Sequence, residues 1–115
     1  MQMYLNGGYY GGHRYFQEST VQLFSGCAFC ELQNRRGLGF DRKQLEEGPG
    51  PSCTCASEQS FGHTGFTGTM VWMDPKEDLL YIFLSNRTFP DAENWKLSKL
   101  DVRTNIQEYI YDALN

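Results

Sequence analysis

The most regular pattern of apolar and polar positions lies at the end of the chain. Val102, Ile106, Tyr109, Ile110 and Ala113 recur at the i, i+4, i+7, i+8, i+11 spacing of one helical face. Ser98 followed three residues later by Asp101 resembles a capping box. Together they predict a helix from about Ser98 to Leu114, with Val102, Ile106, Tyr109 and Ile110 as its main stabilising face. Upstream the period shortens to two. Thr67–Met73 alternates and is rich in β-formers, Leu79–Leu84 is an unbroken apolar run, and Asp74-Pro75-Lys76-Glu77-Asp78 between them reads as a turn. The two strands are expected to pair as an antiparallel hairpin, with Leu79–Leu84 buried. Asn86–Leu97, which contains Pro90, reads as a connecting loop.

The first half is less periodic. Met1–Asn6 ends at Gly7-Gly8 and reads as the last turn of a helix with a glycine C-cap, truncated at its start. Gly11-Gly12 between aromatic residues predicts a small hairpin over Tyr9–Tyr15. Ser19 or Thr20 can cap a short helix through Phe24, stopped by Gly26, with Val21, Leu23 and Phe24 as its apolar side. Gly37–Asp41 alternates small and large residues and is a candidate strand. Glu46–Ser60 holds Gly48-Pro49-Gly50-Pro51 and reads as a loop, of a length that is usually functional or mobile. These elements predict an α+β fold. Residues 1–115 form one domain, with an antiparallel sheet of about three strands (Gly37–Asp41, Thr67–Met73 and Leu79–Ser85) and the C-terminal helix packed on one face.

Composition narrows the function classes. The 115 residues are 40% hydrophobic and 15% aromatic, enough for a modest core. A net charge of −4, with basic clusters no larger than Arg35-Arg36 and Arg42-Lys43, argues against a nucleic-acid binder. No apolar run approaches the roughly 18 residues of a spanning helix, and no secretory leader opens the chain. The four cysteines occur as Cys27-x-x-Cys30 and Cys53-x-Cys55. Free thiols, a disulfide between the two pairs in an exported protein, and metal ligation are all open readings. The one-residue spacing of the second pair suits zinc poorly, so no metal site is assigned.

Candidate chemistry concentrates in Phe61-Gly62-His63-Thr64-Gly65-Phe66-Thr67-Gly68-Thr69. Glycine weakens a strand, so its repetition here implies close approach of another backbone or of a ligand. The bland alternative is a glycine-rich bulge beside an ordinary surface histidine. The wider sequence resembles the serine β-lactamase and penicillin-binding-protein superfamily, in its class C-like and esterase-like forms. His63-Thr64-Gly65 resembles the third motif of that superfamily, usually Lys-Thr-Gly. The following Gly65-Phe66-Thr67-Gly68-Thr69, Trp72, Asp74-Pro75 and Leu84-Ser85-Asn86-Arg87 stand in the family's order. So do Asn6-Gly7-Gly8, Gly12–Tyr15, Ser19-Thr20-Val21 and Gly37-Leu38-Gly39-Phe40. The chain also resembles the form found in bacterial proteins that join a glycoside hydrolase to a β-lactamase-like domain.

The resemblance implies roles. His63 and Thr64 would line a catalytic cleft, with the imidazole bonding a catalytic hydroxyl or a substrate carboxylate. Unlike an ammonium, an imidazole changes charge near neutral pH. Gly65 would let the substrate backbone lie close, and the Phe66 N–H would be one of two oxyanion donors. Asn86 and Arg87 would sit at the substrate-binding rim, though a solvated strand end explains them equally well. No cofactor is implied. The implied partners are an upstream lobe of a longer protein and a small-molecule or peptidoglycan-like substrate, in the periplasm or cell envelope. The family's Ser-x-x-Lys, which supplies nucleophile and basic partner, is absent from these 115 residues, and Tyr4-Leu5-Asn6 matches Tyr-x-Asn by letters alone. The chain therefore reads as one wall of a serine-hydrolase site, inactive in isolation. The rival readings are a non-catalytic binding module and a small zinc-binding domain, the latter resting on the cysteines alone.

Overall fold

The computed structural model describes residues 1–44 and 48–114. Glu46 and Glu47, which open the long loop expected from the sequence, lie outside the described residues. The elements run α1 Gln2–Leu5, β1 Tyr9–Tyr10, β2 His13–Arg14, α2 Glu18–Ser25, a 3-10 turn at Cys30–Leu32, β3 Asp41–Arg42, β4 Phe61–Thr64, β5 Met70–Asp74, β6 Leu79–Phe83, α3 Lys96–Lys99 and α4 Val102–Leu114. Strands β1 and β2 pair around Gly11-Gly12, and β3-β4-β5-β6 form a second antiparallel sheet in that order. The fold is α+β, as the sequence pattern implies.

Register divides the four-stranded sheet into two faces. Met70 pairs Phe83, Trp72 pairs Tyr81 and Asp74 pairs Leu79. This face carries the Met70, Trp72 and Tyr81 cluster, against which Phe83 and Ile110 of α4 pack. On the other face Met73 lies opposite Phe61 and Leu80, and with Phe40, Tyr4 and Leu5 it forms a second cluster. The aromatic rings there meet edge to face, Tyr4 to Phe40 and Phe40 to Phe61 both at 5.1 Å. Arg42 joins the N-terminal part to the sheet. Its guanidinium donates to the Ser25, Gln59 and Glu58 carbonyls.

Several expectations are corrected. The strand placed at Gly37–Asp41 begins only at Asp41, because residues 37–40 form a tight turn in which the Gly37 N–H donates to Phe40 O at 2.8 Å. A Cβ on Gly37 would stand 2.3 Å from the Gly26 carbonyl oxygen, so close backbone approach, and not strand alternation, places a glycine there. The strand placed at Thr67–Met73 starts at Met70, and Phe61–Thr64 is a strand of its own, which makes four strands in place of three. The run Leu79–Leu84 is only partly buried: Ile82 in β6 is 54% exposed, and Leu84 just beyond the strand is 80% exposed. Helix α2 starts at Glu18 without a Ser19 or Thr20 cap, and of its apolar residues Val21 is buried while Leu23 and Phe24 are exposed. The cysteines are neither free nor cross-linked between pairs. Cys27 bonds Cys30 and Cys53 bonds Cys55, with Cα atoms 5.5 and 5.2 Å apart.

The C-terminal helix is two helices. Asp101 takes φ 47° between α3 and α4, so Ser98 and Asp101 form no capping box. The buried residues of α4 are Gln107 and Tyr111, and not the expected apolar row, since Ile106 is 38% and Tyr109 75% exposed. Polar anchoring explains this. Gln107 Oε1 accepts from the Cys53 N–H at 2.9 Å, and the Tyr111 hydroxyl donates to Asp74 Oδ2 at 2.6 Å. Asp74 also accepts from the Ser57 amide and hydroxyl and from the Lys76 amide. Burial pushes the Asp74 carboxyl upward, but these hydrogen bonds outweigh it and hold the group below the usual carboxylate range. Burial and the bond to Asp74 raise the Tyr111 hydroxyl.

Ile106→Ala should therefore cost less than about 1 kcal/mol, as a half-exposed substitution. Gln107→Ala removes the acceptor of a buried amide and should cost about 1–3 kcal/mol. Thermal melts of the two variants check this, and a larger loss in Ile106→Ala would return the main contact to the apolar row.

Candidate active site

The residues singled out from the sequence lie at one end of the sheet, around the β4–β5 connection. The packing explains one glycine at once. Gly62 pairs Trp72, and a Cβ there would lie 2.4 Å from the indole ring and 2.2 Å from the Val71 carbonyl oxygen. It makes room for the core tryptophan. The next residue, His63, pairs Val71, which pairs Ile82, so these three form a row on the face opposite α4. The imidazole is exposed, and its Nδ1 lies 2.8 Å from the Thr64 carbonyl oxygen. A carbonyl only accepts, so this bond needs the proton on Nδ1 and leaves Nε2 as the ring's open nitrogen. Thr64, half-buried, ends the strand opposite Met70.

The chain then turns tightly. The Gly65 N–H donates to Thr69 O at 2.8 Å, and the Gly68 N–H donates to Gly65 O at 2.9 Å. Residues 65–68 thus form a β-turn with Phe66 at its second position. The N–H at that position takes no part in the turn's own bond, and among the described residues it donates to no group. Beneath the turn, Ser85 Oγ and the Arg87 N–H both donate to Thr67 O, at 3.1 and 2.9 Å, and Arg103 Nη1 donates to Gly68 O at 3.3 Å. The Arg103 guanidinium thus brings a positive charge to the last residue of the turn.

Asn86 and Arg87 part company. Asn86 is exposed, and its Oδ1 accepts from Thr88 Oγ1 at 2.8 Å. Arg87 is 7% exposed. Its guanidinium lies 4.7 Å from the Phe66 ring centroid and 3.9 Å from that of Trp95, and Nη1 donates to the Ala92 and Asn94 carbonyls. Its guanidinium is thus held by neighbouring rings and carbonyls within the chain. Trp95 and Arg103 were not singled out from the sequence, since neither stands in a periodic or motif position. Among the described residues no group of three or more metal-ligating side chains gathers, and no helix is long and apolar enough to cross a membrane.

A family model described as Beta-lactamase matches residues 11–103. The chain belongs to the β-lactamase family. Similar proteins provisionally named D-alanyl-D-alanine carboxypeptidase include one from Salmonella enteritidis PT4, 33% identical over 98 residues, which are 85% of this chain and 22% of that protein. Another, from Escherichia coli K12, is 36% identical over 87 residues, 76% of this chain and 20% of that protein. A solved β-lactamase structure from Mycobacterium bovis superposes with a TM-score of 0.54 at 32% identity, covering 70% of this chain and 27% of that one. This β-lactamase-family chain thus spans about a fifth of the length of the curated relatives it matches.

Proposed function

We propose that this chain supplies one wall of an acyl-transfer site, in which a serine attacks a carbonyl and an acyl-enzyme ester forms and is hydrolysed. The observation that carries this is the unpaired Phe66 N–H, presented by the turn that follows His63-Thr64-Gly65. In this reading Phe66 N–H stabilises the oxyanion, and His63 Nε2 and the Thr64 hydroxyl bond the catalytic hydroxyl or a substrate carboxylate. Gly65 admits the substrate backbone, and Asn86 offers its amide at the rim. Arg87 acts through Phe66 and not by touching substrate. The names of the Salmonella and Escherichia relatives favour a peptide ending in D-alanyl-D-alanine over a β-lactam or a simple ester.

The nucleophile and its basic partner would come from a lobe encoded upstream, because no serine in the 115 residues has lysine three positions on. The uncovered part of the sheet supports such a partner. The row of His63, Val71 and Ile82 lies beyond the cluster of Phe61, Met73 and Leu80, and Ile82 is 54% exposed. The missing motif is also what favours the second reading, a non-catalytic binding module.

Intact mass spectrometry after incubation with a fluorophosphonate and a penicillin-type probe separates the two. The 115-residue chain should gain no mass. The chain joined to its upstream coding sequence should gain one adduct, on a serine of a Ser-x-x-Lys. An adduct on a serine of the chain itself would overturn the wall reading, and no adduct on the longer form would favour the binding module.

A further inference from the structure

We propose that Arg87 is a positioning residue that holds the Phe66 N–H in place, an inference that rests on the reading of that N–H as an oxyanion donor. A donor stabilises developing charge only if it is already aimed when the charge appears. The bonds from Ser85, Arg87 and Arg103 hold the Thr67 and Gly68 carbonyls, but none of them reaches Phe66, which is 71% exposed. The Phe66 ring meets the Arg87 guanidinium, which lies 4.7 Å from its centroid. The same guanidinium lies 3.9 Å from the ring centroid of Trp95. Nη1 is fixed in the plane by the Ala92 and Asn94 carbonyls at 2.9 and 3.1 Å, and the Arg87 backbone N–H reaches Thr67 O at 2.9 Å. One residue thus grips the turn twice, through its ring and through its carbonyl, and anchors it to the 92–95 segment.

The residue type matters. A guanidinium is planar, weakly hydrated and able to stack between two rings while donating at its edge. An ammonium has the charge without the plane. Arg87→Lys should therefore keep the fold and loosen the turn. Trp95→Leu uncovers one face of the guanidinium without touching Arg87, and at 42% exposure Trp95 is not needed for the core.

Backbone amide dynamics of the isotopically labelled 115-residue chain give the first test. In Arg87→Lys and in Trp95→Leu the order parameters of Phe66, Thr67 and Gly68 should fall toward about 0.6 or below, while those of Trp72 and Tyr81 stay near about 0.85. Unchanged order at Phe66 in the folded variants would overturn the proposal. If Arg87→Lys does not fold, Trp95→Leu decides alone.

The second test uses the chain joined to its upstream coding sequence. Arg87→Lys should lower kcat by about ten- to a hundredfold with little change in KM. It should lower it no further when Phe66→Pro has already removed the donor, a non-additivity that a merely structural role would not produce. A wild-type rate in Phe66→Pro would defeat the oxyanion reading itself. A slow Phe66→Pro beside a wild-type rate in Arg87→Lys would defeat the role of Arg87 alone.

Discussion

Phe66→Pro should slow acylation about 10²–10³-fold in the chain joined to its upstream coding sequence, with the fold intact. Proline removes one N–H and nothing else from the backbone. Phe66 is the second residue of a turn closed by the Gly65 carbonyl and the Gly68 N–H. That is the position proline prefers, with φ already near the required value. The lost N–H makes no hydrogen bond among the described residues, so no native backbone bond is given up. The ring stacked on Arg87 is lost as well, and Phe66→Ala isolates that loss while keeping the N–H. The two variants should melt together, while proline slows acylation much more than alanine. Wild-type rates in both would mean that the N–H takes no part.

Asp74→Ala should be the most destabilising single substitution in the β5–α4 region, at about 3–5 kcal/mol. Asp74 is 1% exposed and accepts four hydrogen bonds: from Ser57 Oγ at 2.6 Å, Ser57 N at 2.8 Å, Lys76 N at 3.1 Å and the Tyr111 hydroxyl at 2.6 Å. Alanine takes away the carboxylate to which the buried Tyr111 hydroxyl donates and frees the loop at Ser57 from the sheet. The same carboxylate makes stability depend on pH. Its folded value is held below the ordinary one, so the folded state binds fewer protons here than the unfolded chain. Its contribution is fully present above about pH 4 and is lost as pH falls through the depressed value. Tyr111, raised by burial and by Asp74, works at the other end. Its contribution is present below about pH 10 and is lost as pH rises beyond that. Melts between pH 2 and pH 11 should show both limbs in the wild type. Asp74→Asn should flatten the acid limb and Tyr111→Phe the alkaline one, and an acid limb of wild-type steepness in Asp74→Asn would place the titrating group elsewhere.

The same residues show what could be read beforehand. Strands β5 and β6 were legible because period-two alternation, an apolar run and Asp74–Asp78 lie together in one short stretch. β4 was not. Phe61-Gly62-His63-Thr64 has no alternation, and Gly62 is explained only by the ring of Trp72 across the sheet. The presence of a C-terminal helix was legible and its buried face was not. A periodicity argument assigns burial to apolar side chains, whereas Gln107 and Tyr111 are buried because a loop amide and a strand-end carboxylate need them. His63, Thr64 and Phe66 came from a motif, and the structure adds the turn that leaves one N–H unpaired. Arg87 was read as a rim residue, and its burial against Trp95 was not legible, because an irregular loop separates the two in sequence.

The anchoring of α4 also sets an order in time. Strands β4, β5 and β6 are sequence neighbours joined by short turns, so their pairing closes small loops and can begin early. Tyr111 must find Asp74 across 37 residues, and Gln107 must find the Cys53 amide across 54. Those long closures bring little gain until the meander offers a finished surface. The helix is therefore expected to dock late, onto a hairpin whose Phe66 turn has already formed.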